Sequence, residues 1–146
     1  MNVETKEVVA MDVTTDDVHD SRAIPKLICE AERYGRILKA YMDGSYDSSS
    51  IYELLKAKGI DAVIKPRKNS RLETRSEARR RAIALYMRMG HEAWSKLKEY
   101  GKRWSVETAY STFKRLFGEF SMAKNMENIA KELMAKAFIY NMIVNI

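Results

Sequence analysis

Over the first 65 residues short apolar runs alternate with helix-spaced ones, and beyond residue 72 only the helical spacing persists. Residues 7–13, EVVAMDV, are rich in β-branched side chains and are expected to form a strand. A polar turn, TTDDVHDS, follows, and Asp20 or Ser21 can cap a helix running to about residue 34. Ile24, Leu27, Ile28 and Ala31 fall on the inner face of that helix, with Pro25 near its first turn and Gly35 as its stop. Residues 36–42, RILKAYM, read as a second strand that ends in Asp43-Gly44-Ser45-Tyr46-Asp47. Ser48, Ser49 and Ser50 offer N-caps for a helix over 51–58, with Ile51, Leu54 and Leu55 inside and Gly59 as its stop. Residues 60–64, IDAVI, make a short buried strand, and Lys65-Pro66-Arg67-Lys68-Asn69 leaves it as a basic loop.

Further on, Ala82, Leu85, Tyr86 and Met89 recur at helical spacing until Gly90 breaks the pattern. The next helix, HEAWSKLKEY, contributes Trp94 and Leu97 to the interior. Another helix runs to about residue 117, stopped by Gly118, with Val106, Tyr110, Phe113 and Phe117 on its apolar face and Met122 packed near its end. Residues 125–144 predict a long amphipathic helix carrying Ile129, Leu133, Ala137, Tyr140 and Ile143 or Val144. The methionines and aromatics are expected in the core, as is Cys29 beside Ile28. Strand–helix–strand–helix–strand followed by helices implies an α/β fold with some parallel pairing and more helix than strand.

Composition narrows this picture. A chain of 146 residues, 46% hydrophobic and 32% charged, is one domain with a real core. Its net charge of +6 is uneven. Residues 1–62 carry eight cations and twelve anions, whereas 65–81 hold eight cations against Glu73 and Glu77. A basic second half favours a polyanionic partner. The single cysteine rules out an internal disulfide framework and fits a reducing cytoplasm. The acidic N-terminus lacks the apolar run of a secretory signal, and the closing AFIYNMIVNI is too short to span a membrane.

The candidate chemistry lies in residues 100–114, YGKRWSVETAYSTFK. Tyr100, Arg103, Glu107 and Lys114 fall at offsets that one helix brings to within about 60° of one another. A carboxylate flanked by cations suits a site where a metal meets a phosphate, and it equally suits a solvated face with a helix-spaced Arg/Glu pair. Asp43, at the carboxyl end of a strand, is placed either to point into a crevice or to cap a turn. His19 beside Asp16, Asp17 and Asp20 offers metal-ligating side chains, and ordinary turn chemistry accounts for the same residues.

Tyr, two residues, Arg, three, Glu, six, Lys resembles the signature around the last acid of insertion-sequence DDE transposases, and Trp104 after the arginine is also typical of it. Asp43-x-x-Tyr46-Asp47-Ser48 resembles the family's second catalytic acid, His19-Asp20-Ser21 its turn before a helix, and residues 65–69 its basic loop. The resemblance covers roughly residue 8 to the end. It implies a ribonuclease-H-like mixed sheet as one partial catalytic domain, with Asp43 in residues 1–65 and Glu107 in the basic, mostly helical residues 66–146. It further implies that Asp43 and Glu107 hold Mg²⁺ or Mn²⁺ for hydrolysis at a transposon end and attack of the freed 3′-hydroxyl on target DNA. Arg103 and Lys114 would grip phosphates, Tyr100 would stack beside the DNA end, and Asp47 would serve the turn. Arg67, Lys68, Arg79, Arg80 and Arg81 would track the duplex backbone.

The family also uses a first Asp on an earlier strand, whereas 7–13 resembles its third strand and Asp12 does not match the motif position. The expectation is therefore a truncated, split or decayed copy, inactive alone, in a prokaryotic cytoplasm and nucleoid-associated through DNA. The strand at 36–42 would have an open edge for self-association or for a full-length transposase. The alternatives are a non-catalytic DNA-binding or transposase-binding remnant and an unrelated basic helical scaffold.

Overall fold

The computed structural model describes residues 1–15 and 17–146. Its centre is a parallel pair of four-residue strands, β1 (Lys39–Met42) and β2 (Asp61–Ile64), in the register Lys39 to Asp61 through Met42 to Ile64. Parallel strands need a crossover, and α2 (Ser49–Ala57) supplies it. Ser48 caps that helix by accepting from the Ile51 amide, and Gly59 ends it in the left-handed conformation, φ 68°. Ahead of the sheet, a 3₁₀ turn (Asp20–Arg22) leads into α1 (Ile24–Glu32). Ile24 and Ile28 of α1, Ile51, Tyr52 and Leu55 of α2, and Ile60 and Ile64 form one buried cluster. Leu55 is fully buried, so its truncation to Ala costs about 3 kcal/mol.

The rest is helical: α3 (Glu77–Lys98), α4 (Trp104–Phe117) and α5 (Met126–Val144). Gly90 kinks α3 with φ 75° and ψ 165°, a conformation open to glycine alone. α3 docks on α2 through Ala78 and Ala82, which pack against the buried cluster, and Ser76 donates to Glu53 at 2.5 Å. Helices far outweigh strands, so the fold is mixed α/β of the kind expected for part of a ribonuclease-H-like domain. β1 has β2 as its one strand partner among the described residues.

Several expectations are corrected. Residues 7–13 form no strand. No neighbouring strand meets them there, and an amide side chain does instead: Asn141 accepts from the Val8 amide at 2.8 Å and donates to its carbonyl at 2.9 Å. Cys29 is exposed rather than packed. Leu97 is 57% exposed, Tyr110 58% and Met122 90%; α4 buries only Ala109 and α5 only Ala137 and Tyr140, with Phe113 packed on Tyr140 at a centroid distance of 5.8 Å. Met134, Phe138 and Met142 on α5 likewise face outward. No helix among the described residues is long and apolar enough to cross a membrane.

Candidate functional site

β1 ends at Met42 and passes the chain to Asp43, whose extended backbone opens a 3₁₀ turn over Gly44–Tyr46. Asp43 caps that turn: one carboxylate oxygen accepts from the Ser45 amide at 2.7 Å and from the Ser45 hydroxyl. Space at Gly44 is tight, since a Cβ there would stand 3.1 Å from the Lys65 carbonyl oxygen. Arg67 straps the turn from the basic loop, its Nε donating to the Gly44 carbonyl and its Nη2 to that of Ser45, each at 2.6 Å. Its guanidinium thus holds the loop, and the residue stays exposed.

Asp47 closes the turn on the other side and is buried. Its oxygens accept from Arg79 Nε at 2.7 Å, Arg79 Nη2 at 3.2 Å, the Arg67 amide at 3.2 Å and the Ser70 hydroxyl. Burial works to raise the Asp47 carboxyl. The bonds from Arg79, Ser70 and the Arg67 amide outweigh it and hold the carboxyl below its ordinary range. The expected structural part of Asp47 is therefore its actual one. Arg79 is half-buried against Asp47, 17% of its side chain being exposed. Arg80 and Arg81 stay on the surface, donating to the Thr74 carbonyl and to Glu77, and Lys68 is exposed.

The second arm of the site comes from the α3–α4 junction. Glu99 ends α3 in the left-handed conformation, φ 56°, and accepts from Lys39 of β1 at 2.8 Å. The chain then forms a 3₁₀ turn, Tyr100–Arg103, against β1 before α4 begins at Trp104. The four signature residues therefore do not share one α-helical face. Glu107 and Lys114 lie on α4, whereas Tyr100 and Arg103 lie on the turn before it, where Gly101 weakens the helix. Tyr100 packs against Trp94 with ring centroids 5.0 Å apart and the planes tilted by 50°. Its hydroxyl is raised by burial; Arg103 opposes this, and the Asp43 and Glu107 charges add to it.

Arg103 joins the two arms. Its Nη1 donates to Glu107 at 2.7 Å, and its Nη2 stands 3.6 Å from the Asp43 carboxylate. One guanidinium thus spans both acids, the strand-end Asp and the helix-start Glu, which lie 64 positions apart in sequence. Burial raises the Asp43 carboxyl, but Ser45, Arg103 and Arg67 together bring it below its ordinary value. Lys114 stands apart: two turns further along α4, about 10 Å on, it pairs with Glu119 at 3.0 Å and sits 4.9 Å over the Tyr110 ring. Ser45 and Ser70, which sequence reading passed over, carry no distinguishing pattern. Each works through a fold-dependent contact with an acid.

Two exposed carboxylates are hard oxygen donors of the type that holds Mg²⁺ or Mn²⁺. As arranged, however, they do not fit a paired-ion site, because a guanidinium already lies between them. No group of three metal-ligating side chains exists among the described residues. Asp12 is held elsewhere by Lys26 at 2.6 Å. His19 caps the 3₁₀ turn ahead of α1 by accepting from the Ser21 amide, and Asp16 lies outside the described residues. No solved structure matches the chain. A family model described as "Transposase DDE domain" matches residues 1–142. With Asp43 at a strand end, Glu107 on the helix that follows the 3₁₀ turn and Arg103 across both, the chain belongs to the transposase DDE domain family.

Proposed function

We propose that this chain acts in DNA transposition at insertion-sequence ends by holding DNA, and that alone it neither cuts nor joins strands. The observation that carries this reading is the Arg103 guanidinium spanning Asp43 and Glu107. The family's partner is DNA and its chemistry uses divalent metal ions, yet Asp43 and Glu107 share one guanidinium and no third ligating side chain joins them among the described residues. A further carboxylate on another strand would be needed before cleavage or strand transfer could run. The half-paired β1 offers such a strand an edge, belonging either to a full-length transposase or to a second copy. Lys68, Arg80 and Arg81 follow the phosphate backbone without reading sequence. Arg103, with Lys114 further along α4, grips phosphate near the acids, and Tyr100 stacks beside the DNA end.

Nicking of supercoiled plasmid with Mg²⁺ or Mn²⁺ tests the first half of this reading. The wild-type chain should leave the plasmid intact, and nicking that disappears in Asp43→Ala would overturn the inactive reading. Binding to a random duplex should weaken steeply with salt, and replacing Arg80 and Arg81 by Ala should reduce the log–log slope by about 1–2. An unchanged slope would make them a solvated face.

A further inference from the structure

We infer that the outer edge of β2 docks an extended acidic peptide segment of another protein, whose backbone pairs with Ala62 and whose apolar side chain enters the adjoining cleft. This edge lies across the sheet from the open side of β1 and away from the Asp43 turn. The register fixes which backbone groups are free. The Asp61 amide donates to the Leu38 carbonyl at 2.9 Å. In a parallel pair of this register, Asp61 and Val63 turn their backbone groups toward β1, and Ala62 turns its own away. The Ala62 N–H and C=O have no partner among the described residues, and the residue is partly exposed. A free donor and acceptor on a strand edge are what an added strand pairs with.

Beside that edge, α3 bends at Gly90 and leaves a cleft of about 520 Å³ that Ala62 lines. Ile60, Ala82, Leu85 and Trp94 give the cleft an apolar wall. Tyr52 lines it too, and although the residue is only 3% exposed, its hydroxyl has no hydrogen-bond partner. Burial pushes the pKa of that hydroxyl up, so it stays an O–H donor in want of an acceptor. Charge on the rim selects the occupant. Lys98 is matched by Asp61 at 3.0 Å and Arg81 by Glu77 at 2.5 Å. Lys56 is exposed and has no carboxylate partner among the described residues. A peptide answers all of these at once: backbone for Ala62, an apolar side chain for the wall, oxygen for Tyr52 and a carboxylate for Lys56. Duplex DNA answers the cation but neither the backbone groups nor the apolar wall.

The test is a titration of the full chain, followed by amide NMR, with three end-blocked heptapeptides in which Glu alternates with Val. Their central apolar position is Val, Leu or Phe. At least one should bind with a Kd below about 1 mM. At saturation the Ala62 amide proton should exchange with solvent roughly tenfold more slowly. Methylating alternate peptide nitrogens should abolish binding in one of the two phases, because a strand pairs through one edge. Lys56→Glu should weaken binding about tenfold and Tyr52→Phe about fivefold, with circular dichroism confirming the fold. Failure of all three peptides to bind at about 1 mM overturns the inference. So does binding that leaves Ala62 exchange unchanged or tolerates methylation in both phases. N-acetylphenylalanine binding as tightly as the peptide would make the cleft a small-anion pocket. A duplex that protects the Ala62 amide would assign the edge to DNA, and a dimer that the peptide dissociates would assign it to a second copy. Each of these outcomes contradicts the inference.

Discussion

Two acids flank the same 3₁₀ turn, each paired with an arginine from a distant element, and the pairs are opposite in character. Asp47 has no exposed side-chain surface and meets Arg79, 32 residues away, through a fork at 2.7 and 3.2 Å. Asp43 is 44% exposed and faces Arg103 across 3.6 Å. The buried pair is surrounded by further donors, from Ser70 and the Arg67 amide, so that both carboxylate oxygens are hydrogen-bonded. The exposed pair is loose and shared with a second acid. Burial thus decides which carboxylate is structural and which is available to a ligand, although the two are only four residues apart.

The largest effect expected from this contrast is on stability. Asp47→Ala leaves a guanidinium largely buried without a partner, which costs about 3 kcal/mol or more. Thermal unfolding should show it as a fall of roughly 10 °C in Tm. Asp43→Ala removes a screened surface contact and a turn cap, and should cost about 1 kcal/mol. Equal losses in the two variants would erase the distinction between the pairs.

Acid should separate them further. A carboxyl depressed in the folded state stabilises the fold above its unfolded value, about 3.9 for Asp, and that stability is lost as pH falls through the lower folded value. Asp47 and Asp43 are both depressed. Unfolding free energy should therefore be level above about pH 5 and fall below about pH 4. In Asp47→Asn the decline should be shallower, measured by denaturant titration at several pH values. The smallest effect is expected at the strap: Arg67→Ala should lower Tm by only about 1–3 °C, because its bonds to the Gly44 and Ser45 carbonyls are exposed.

Much of this arrangement was legible in the chain. The strand-end position of Asp43, the Ser48 cap, the Gly59 stop and the Gly90 break are local, each written in one or two residues. The signature spacing identified Arg103 and Glu107 as neighbours, since four residues along a helical path bring side chains together. What the sequence did not reveal depends on partners far away. Residues 7–13 have a strand's composition, but a strand needs a neighbour, and Asn141 takes that place from the far end of the chain. Arg79 sits in a run of three arginines that look alike, and only the packing of α3 on α2 turns the first of them inward. Met134, Phe138 and Met142 are exposed on an α5 that buries only Ala137 and Tyr140, a narrowness that periodicity alone does not measure.

The central claim is that Asp43 and Glu107 converge on one guanidinium. It is tested most directly by placing cysteines at both positions, with the exposed Cys29 replaced by Ser, and treating the protein with a short bifunctional thiol reagent. The account predicts rapid intramolecular cross-linking in the folded state that is lost in denaturant. Failure of the folded double variant to cross-link, while a longer reagent succeeds, would place the two acids in separate sites and contradict it.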